Sequence, residues 1–273
     1  MNNEITLKSI FRLAGPNIIA QATVVIVGFI DLYFISKTGI HATAAISIAN
    51  ITTSSLYNFL DGFKTSSTVL IARFLGAKES QNVSTIIKIG IIYSLLVGII
   101  IAIFAYPISV FIYNITTSDP SIKGPGTYYL YFRLLSAPFT LLFFSITGFF
   151  FGFKNTIKPL LITLVICLFD GGLDYIFIYG KLGFPAMGIN GAAIATLLAY
   201  IIGSLFGILM LFGDSAIKPY LNLKVIALKN IKKEFLKMAI EVGFYSGFIR
   251  IAIFIFATIF SLLGSSVLAD HQI

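Results

Sequence analysis

The chain has 273 residues, of which 58% are hydrophobic and only 11% charged, with a mean hydropathy of +0.96 and a formal net charge of +8. That composition excludes an ordinary water-soluble core and places the chain in the membrane class. The positive charge does not describe a nucleic-acid-binding face, because most basic residues fall in short connections between apolar runs, and a single cysteine, Cys167, excludes a disulfide framework, a CxxC pair or a cysteine metal site.

Runs of about 20 apolar residues, long enough to cross a hydrocarbon core of about 30 Å, predict spans near 13–37, 43–72, 85–112, 126–152, 158–180, 188–213 and 238–263. Pro16 and Pro159 fall near helix starts. Leu75 to Ser80 reads as a polar turn, Ser118-Asp119-Pro120 as a loop, and Gly183-Phe184-Pro185 as the break between the fifth and sixth spans. The first run is too long for a signal peptide, carries Asp31 and lacks an A-x-A cleavage pattern, so it reads as a permanent helix.

The basic residues orient this array. One set of alternate connections carries Lys8, Arg12, Arg73, Lys78, Lys88, Lys154, Lys158 and the lysines of segment 218–237, whereas the opposite set carries only Lys37, Lys123 and Lys181. Lys and Arg are retained on the cytoplasmic side, so the N-terminus is expected inside.

Carboxylates inside such spans are costly, by roughly 2.5–3.5 kcal/mol on insertion scales, and mark an ion or substrate path unless they are otherwise paired. With a rise of 1.5 Å per residue, Asp31 and Asp174 lie about 9 Å, and Asp170 about 15 Å, below the outer ends of their spans. Asp170 and Asp174 are four residues apart and share a helical face. The three carboxylates are therefore expected to form one site, and like charges in a low dielectric cannot all ionise, so that site should hold a proton or a cation. Thr196, about 12 Å into the sixth span, adds a neutral oxygen ligand. The plainer alternative is that each Asp caps a helix, pairs with Lys37 or Lys181, or lies nearer the interface, and that Thr196 bonds its own backbone.

Asp61 and Lys64, three residues apart near the cytoplasmic end of the second span, read as a structural or gating ion pair. Arg133 is expected to reach headgroups from the outer end of the fourth span, and Tyr128, Tyr129 and Tyr131 to form an interfacial belt. Arg250, at mid-depth in the seventh span, needs a partner elsewhere, and the near-terminal His271 has no ligand role. No His cluster, nucleophile elbow or metal-ligand spacing supports an enzyme or a metal centre.

Several segments read together: Val27-Gly28-Phe29-Ile30-Asp31-Leu32-Tyr33, Leu70-Ile71-Ala72-Arg73-Phe74-Leu75-Gly76-Ala77, Gly148-Phe149-Phe150-Phe151-Gly152 before Pro159, and Asp174-Tyr175-Ile176 followed by Gly188-Ile189-Asn190-Gly191-Ala192-Ala193. In this order they resemble the multidrug and toxic compound extrusion (MATE) family of cation-coupled efflux transporters. The resemblance runs through nearly all of the chain. It implies an all-α integral membrane fold: a six-helix lobe at 1–213, a cytoplasmic linker at 214–237 and, at 238–273, the first helix of an incomplete second lobe. The last residues, Leu268 to Ile273, resemble the turn after the family's seventh helix.

The resemblance also implies an antiporter in the cell inner membrane. H⁺ or Na⁺ entry would drive export of cationic or amphipathic compounds by alternating access, with no cofactor, and the missing second lobe or another half-transporter as partner. Asp31 matches the family's carboxylate on the first helix, and Asp174 matches the Asp of its Asn-x-x-x-Asp-Pro segment. Here Asp170 replaces the Asn and Tyr175 replaces the Pro, which adds charge and removes an expected kink. A lipid-linked sugar flippase of the same superfamily and a transport-dead truncated membrane protein remain the alternatives; the acidic cluster suits cations better than lipid pyrophosphates.

Overall fold

The computed structural model describes residues 7–37, 39–223 and 229–262; within them, the side chains before Phe11, those of Arg12, Leu13 and Lys229, and those from Arg250 onward are also outside the description. The expectations for His271, the C-terminal turn and the side chain of Arg250 therefore lie outside the described residues. Among those residues the chain is all-helical: α1 (Leu7–Ser36), α2 (Ile40–Leu60), α3 (Gly62–Gly76), α4 (Ser80–Ile103), α5 (Ala105–Thr116), α6 (Pro120–Leu135), α7 (Ala137–Gly152), α8 (Ile157–Tyr179), α9 (Ile189–Gly213), the short α10 (Lys218–Leu221) and α11 (Lys229–Leu262).

Three of the spans expected as single helices are broken in two. Pro107 and Pro138 lack an N–H and crowd the carbonyl four residues earlier, and the chain breaks there, at Phe104 between α4 and α5 and at Ser136 between α6 and α7. The second span divides at Asp61, ahead of Gly62. By length and apolarity α4, α8, α9 and residues Ala14–Ser36 of α1 suffice to cross a membrane, and α6 with α7, bent by 41°, can supply a fifth crossing. The α2 segment is rich in Ser, Thr and Asn. Its hydroxyls turn back on the helix, with Thr52 donating to the carbonyl of Ile48, Thr53 to Ala49 and Ser55 to Ile51 at 2.8–2.9 Å, so that its polar groups are satisfied internally.

Packing gathers these helices around two apolar centres. Leu70, Ile71, Ile86, Phe149, Phe150 and Ile162 are fully buried in one, and Tyr113, Leu130 and Leu134 in the other, where the Tyr113 hydroxyl donates to the Ala45 carbonyl at 2.5 Å. The α8–α9 pair is the most extensive. Gly180 ends α8 at φ 67°, the N–H of Lys181 returns to the Ile176 carbonyl at 2.9 Å, and a Cβ at Gly180 would meet the Ala186 nitrogen at 2.5 Å. Only glycine fits both demands. The connection then donates from Met187 N–H to the Phe177 carbonyl at 2.9 Å, which sets the start of α9 against the end of α8.

At the opposite end, α11 lies on α2, α3 and α4. Arg73 grips Glu234 with two hydrogen bonds of 2.5 and 2.8 Å, and this pairing holds the Glu234 carboxyl below its usual range. A Cβ on Gly62 would overlap the Ala239 carbonyl at 2.1 Å, so this crossing depends on backbone contact. α1, by contrast, rests chiefly on α8, with a smaller contact on α2, and exposes Ile18, Val25 and Phe29.

Candidate functional site

Asp31 on α1, Asp170 and Asp174 on α8 and Thr196 on α9 all line one cavity of about 420 Å³. The α8–α9 connection brings Thr196 opposite the acidic face of α8, and the leaning of α1 on α8 brings Asp31 to the same place. Asp170, Asp174 and Thr196 are 9, 2 and 5% exposed, so these polar groups are held away from bulk solvent. The carboxyl groups of Asp31, Asp170 and Asp174 lie within electrostatic range of one another.

One oxygen of each of the three, Oδ1 throughout, is buried without a hydrogen-bond partner among the described residues. A buried carboxylate oxygen in that condition is costly, and the three residues that carry them line one acidic cavity, although among the described residues no group of three carboxylate, histidine or cysteine side chains is arranged to hold a metal ion. Thr196 approaches Asp170, although its hydroxyl also donates to the Ala192 carbonyl at 3.1 Å, the backbone bond that any threonine in a membrane helix tends to make. No ion pair joins the three carboxylates to Lys37 or Lys181 among the described residues; the Lys37 ammonium instead sits 4.3 Å from the centre of the Tyr33 ring.

A second cavity of about 450 Å³ lies beside the first, sharing Val24, Phe143, Thr163 and Tyr200 with it as a common wall. Asp61 and Lys64 line this cavity and pair at 2.6 Å at the α2–α3 break, with Asn17, Gln21 and Asn58 alongside. The carboxylate trio and this ion pair thus line adjoining cavities, with the rings of Phe143 and Tyr200, 6.2 Å apart between centres, among the side chains common to both.

Two expectations need correction. Arg133 does not reach headgroups: it lines the acidic cavity, with its Nε buried and without a partner. Tyr129, one turn earlier, is 4% exposed on the same cavity and does not belong to an interfacial belt, whereas Tyr128 is 54% exposed. The reason is the start of α6. Asp119 is an N-cap whose side chain accepts from Ser121 N–H at 2.8 Å, and Pro120 occupies the first turn, so the helix begins at Pro120 and not near 126. Arg133 therefore lies about 9 Å farther along its helix than the later start implied. The Asp-Pro pair is a helix-start signal and would have revealed this.

The MatE family model matches residues 16–176 of the chain. The multidrug resistance protein NorM of Vibrio cholerae serotype O1 is 27% identical over 275 residues, covering 97% of this chain and 58% of that protein. NorM of Photobacterium profundum is 25% identical over 272 residues, with 97% and 59% covered, and a probable multidrug resistance protein NorM of Oceanobacillus iheyensis is 28% identical over 196 residues, with 72% and 44% covered. A crystal structure of MATE in complex with MaL6 superposes with a TM-score of 0.85 at 22% identity, over 96% of this chain and 58% of that one. The chain spans about half the length of the curated relatives it matches.

Proposed function

The chain belongs to the MatE family, whose members are membrane transporters and not enzymes, and from that premise we propose that it forms the ion-coupling half of an exporter of cationic, amphipathic compounds. The observation that carries the proposal is the convergence of Asp31, Asp170 and Asp174, each with a buried unpartnered oxygen, on one cavity. H⁺ or Na⁺ loads this site from the outer side. Loading relieves repulsion between α1 and α8, and α1, which rests chiefly on α8 and is exposed along much of its length, is the element that responds.

In this reading residues 1–213 are the N-terminal lobe of a cytoplasmic-membrane antiporter with its N-terminus inside. Residues 214–237 form the cytoplasmic linker, and 238–273 enter a second lobe that completes the central cleft. Thr196 supplies a neutral ligand. The Asp61–Lys64 pair gates the inner compartment, where two opposite charges at 2.6 Å hold the α2–α3 break in one geometry. The acidic lining favours cations over lipid pyrophosphates.

The test is ethidium efflux from proteoliposomes holding the full-length protein, driven by a Na⁺ or a pH gradient. Asp174→Asn should abolish gradient-linked efflux without lowering membrane insertion. Unchanged coupling in that variant overturns the assigned site, and transport of a lipid-linked sugar pyrophosphate in place of ethidium overturns the substrate class.

A further inference from the structure

We infer that Arg133 is a resident countercation that sets how much positive charge the carboxylate site admits. The inference rests on the coupling-site reading above and adds its charge balance. Arg133 faces the same cavity as the three carboxylates, yet forms no direct ion pair with any of them, and both its Nε and the Oδ1 of Asp170 are buried without partners. A guanidinium is permanently charged, so it offsets one of the three carboxylates whatever else occupies the cavity. Its place is fixed by its backbone: the Arg133 carbonyl at the α6–α7 break accepts from the Tyr57 hydroxyl at 2.8 Å and from the Ser136 hydroxyl at 2.7 Å. The side chain lines the cavity together with the carboxylates, and its compensating charge is the acidic cluster itself.

Arg133 and Asp170 therefore act as a balanced couple across the cavity. Asp170 strengthens cation binding and Arg133 restrains it, which keeps a loaded site able to unload. A unit charge a few ångströms away across a partly wet cavity changes the affinity for a monovalent cation by about tenfold or more.

The experiment measures binding of two probes, Na⁺ (NaCl against choline chloride at matched ionic strength, read by thermal shift) and ethidium (read by fluorescence), to the full-length protein in lipid nanodiscs. Arg133→Gln should tighten binding of the monovalent cation about tenfold and slow its release. Asp170→Asn should weaken binding by a similar factor, and the double variant should return towards the wild-type value. Arg133→Lys, which keeps the charge, should stay closer to wild type than Arg133→Gln, and it carries the comparison if the glutamine variant folds poorly. Weaker or unchanged binding in Arg133→Gln, or a double variant no better than Asp170→Asn, overturns the inference. Asp174→Asn separates the two levels. If it loses binding while the Arg133–Asp170 exchange fails, only the charge-balance inference falls; if it binds as wild type does, or if the wild type binds neither probe, the site reading falls and this inference with it.

Discussion

The Lys158 ammonium lies 2.5 Å from Oδ2 of Asp214 and thereby ties the first turn of α8 to the end of α9. The other oxygen of Asp214 accepts from the backbone N–H groups of Ala216 and Ile217 at 2.7 and 3.2 Å, turning the chain toward α10. Both helices that carry the candidate ligands Asp170, Asp174 and Thr196 are thus braced from one carboxylate at the face opposite the site.

That brace has a pH signature. Burial alone would disfavour the charge on Asp214, whose side chain is 7% exposed, but the Lys158 hydrogen bond and the two backbone donors outweigh it and hold the carboxyl below the ordinary range. A depressed folded-state value means stability that is present above the ordinary carboxylate range and lost as pH falls through the lowered value. Lys158→Ala should cost about 1–3 kcal/mol at pH 7, since it leaves a buried charge without its partner. The deficit should shrink as the pH drops below about 4, where Asp214 of the variant takes up a proton first, and be lost once the pH also falls through the lowered wild-type value. Detergent or thermal unfolding of wild type and variant at both pH values checks this, and a pH-independent difference contradicts it.

Much of this arrangement was legible in the sequence because it depends on local spacing. The four-residue interval between Asp170 and Asp174 and the three-residue interval between Asp61 and Lys64 fix shared faces on any helix, and both pairs occupy the faces so predicted. The depth of Arg133 depended on a boundary, and reading Ser118-Asp119-Pro120 as a loop instead of a cap moved the residue from cavity wall to membrane surface. The break at Asp61 carries no proline signal. It coincides with a long-range contact, the backbone of Ala239 close against Gly62, which a window along the chain does not report. The shared wall formed by Phe143 and Tyr200 brings together α7 and α9, which are distant in sequence, and aromatic residues in an apolar chain give no hint of which ones will meet.

Glycine positions that look alike in sequence should respond with opposite sign. A Cβ on Gly148 of α7 would stand 2.5 Å from the Lys64 carbonyl and 2.9 Å from Cβ of Ser67, whereas a Cβ on Gly171 of α8 meets nothing within 4 Å. Gly148→Ala should therefore force α7 away from α3 at a cost of about 1–3 kcal/mol. Gly171→Ala should be neutral or stabilising by up to about 1 kcal/mol, because alanine is the better helix former. Unfolding of both variants in the same lipid checks the pair. Because α3 carries Lys64, Gly148→Ala should also disturb the Asp61–Lys64 compartment, and equal effects of the two variants would contradict the close packing of α7 on α3.

Cys167 offers a native probe of the acidic cavity. It is the only cysteine in the chain, lies one turn before Asp170 on α8, is partly exposed, and shares the cavity wall with the carboxylates and Arg133. An excess of carboxylates over guanidinium around it produces a negative local potential, which concentrates cationic reagents and repels anionic ones. A trimethylammonium-bearing methanethiosulfonate should therefore label Cys167 about tenfold faster than a sulfonate-bearing one, after correction for their rates with free cysteine. Asp170→Asn should lower that preference and Arg133→Gln should raise it. Na⁺ or ethidium, whichever binds, should slow labelling by the cationic reagent. Mass spectrometry of the α8 peptide reads each rate directly. Equal labelling by the two reagents would mean that the charges around the cavity cancel, a result incompatible with a site that draws cations from the outer side.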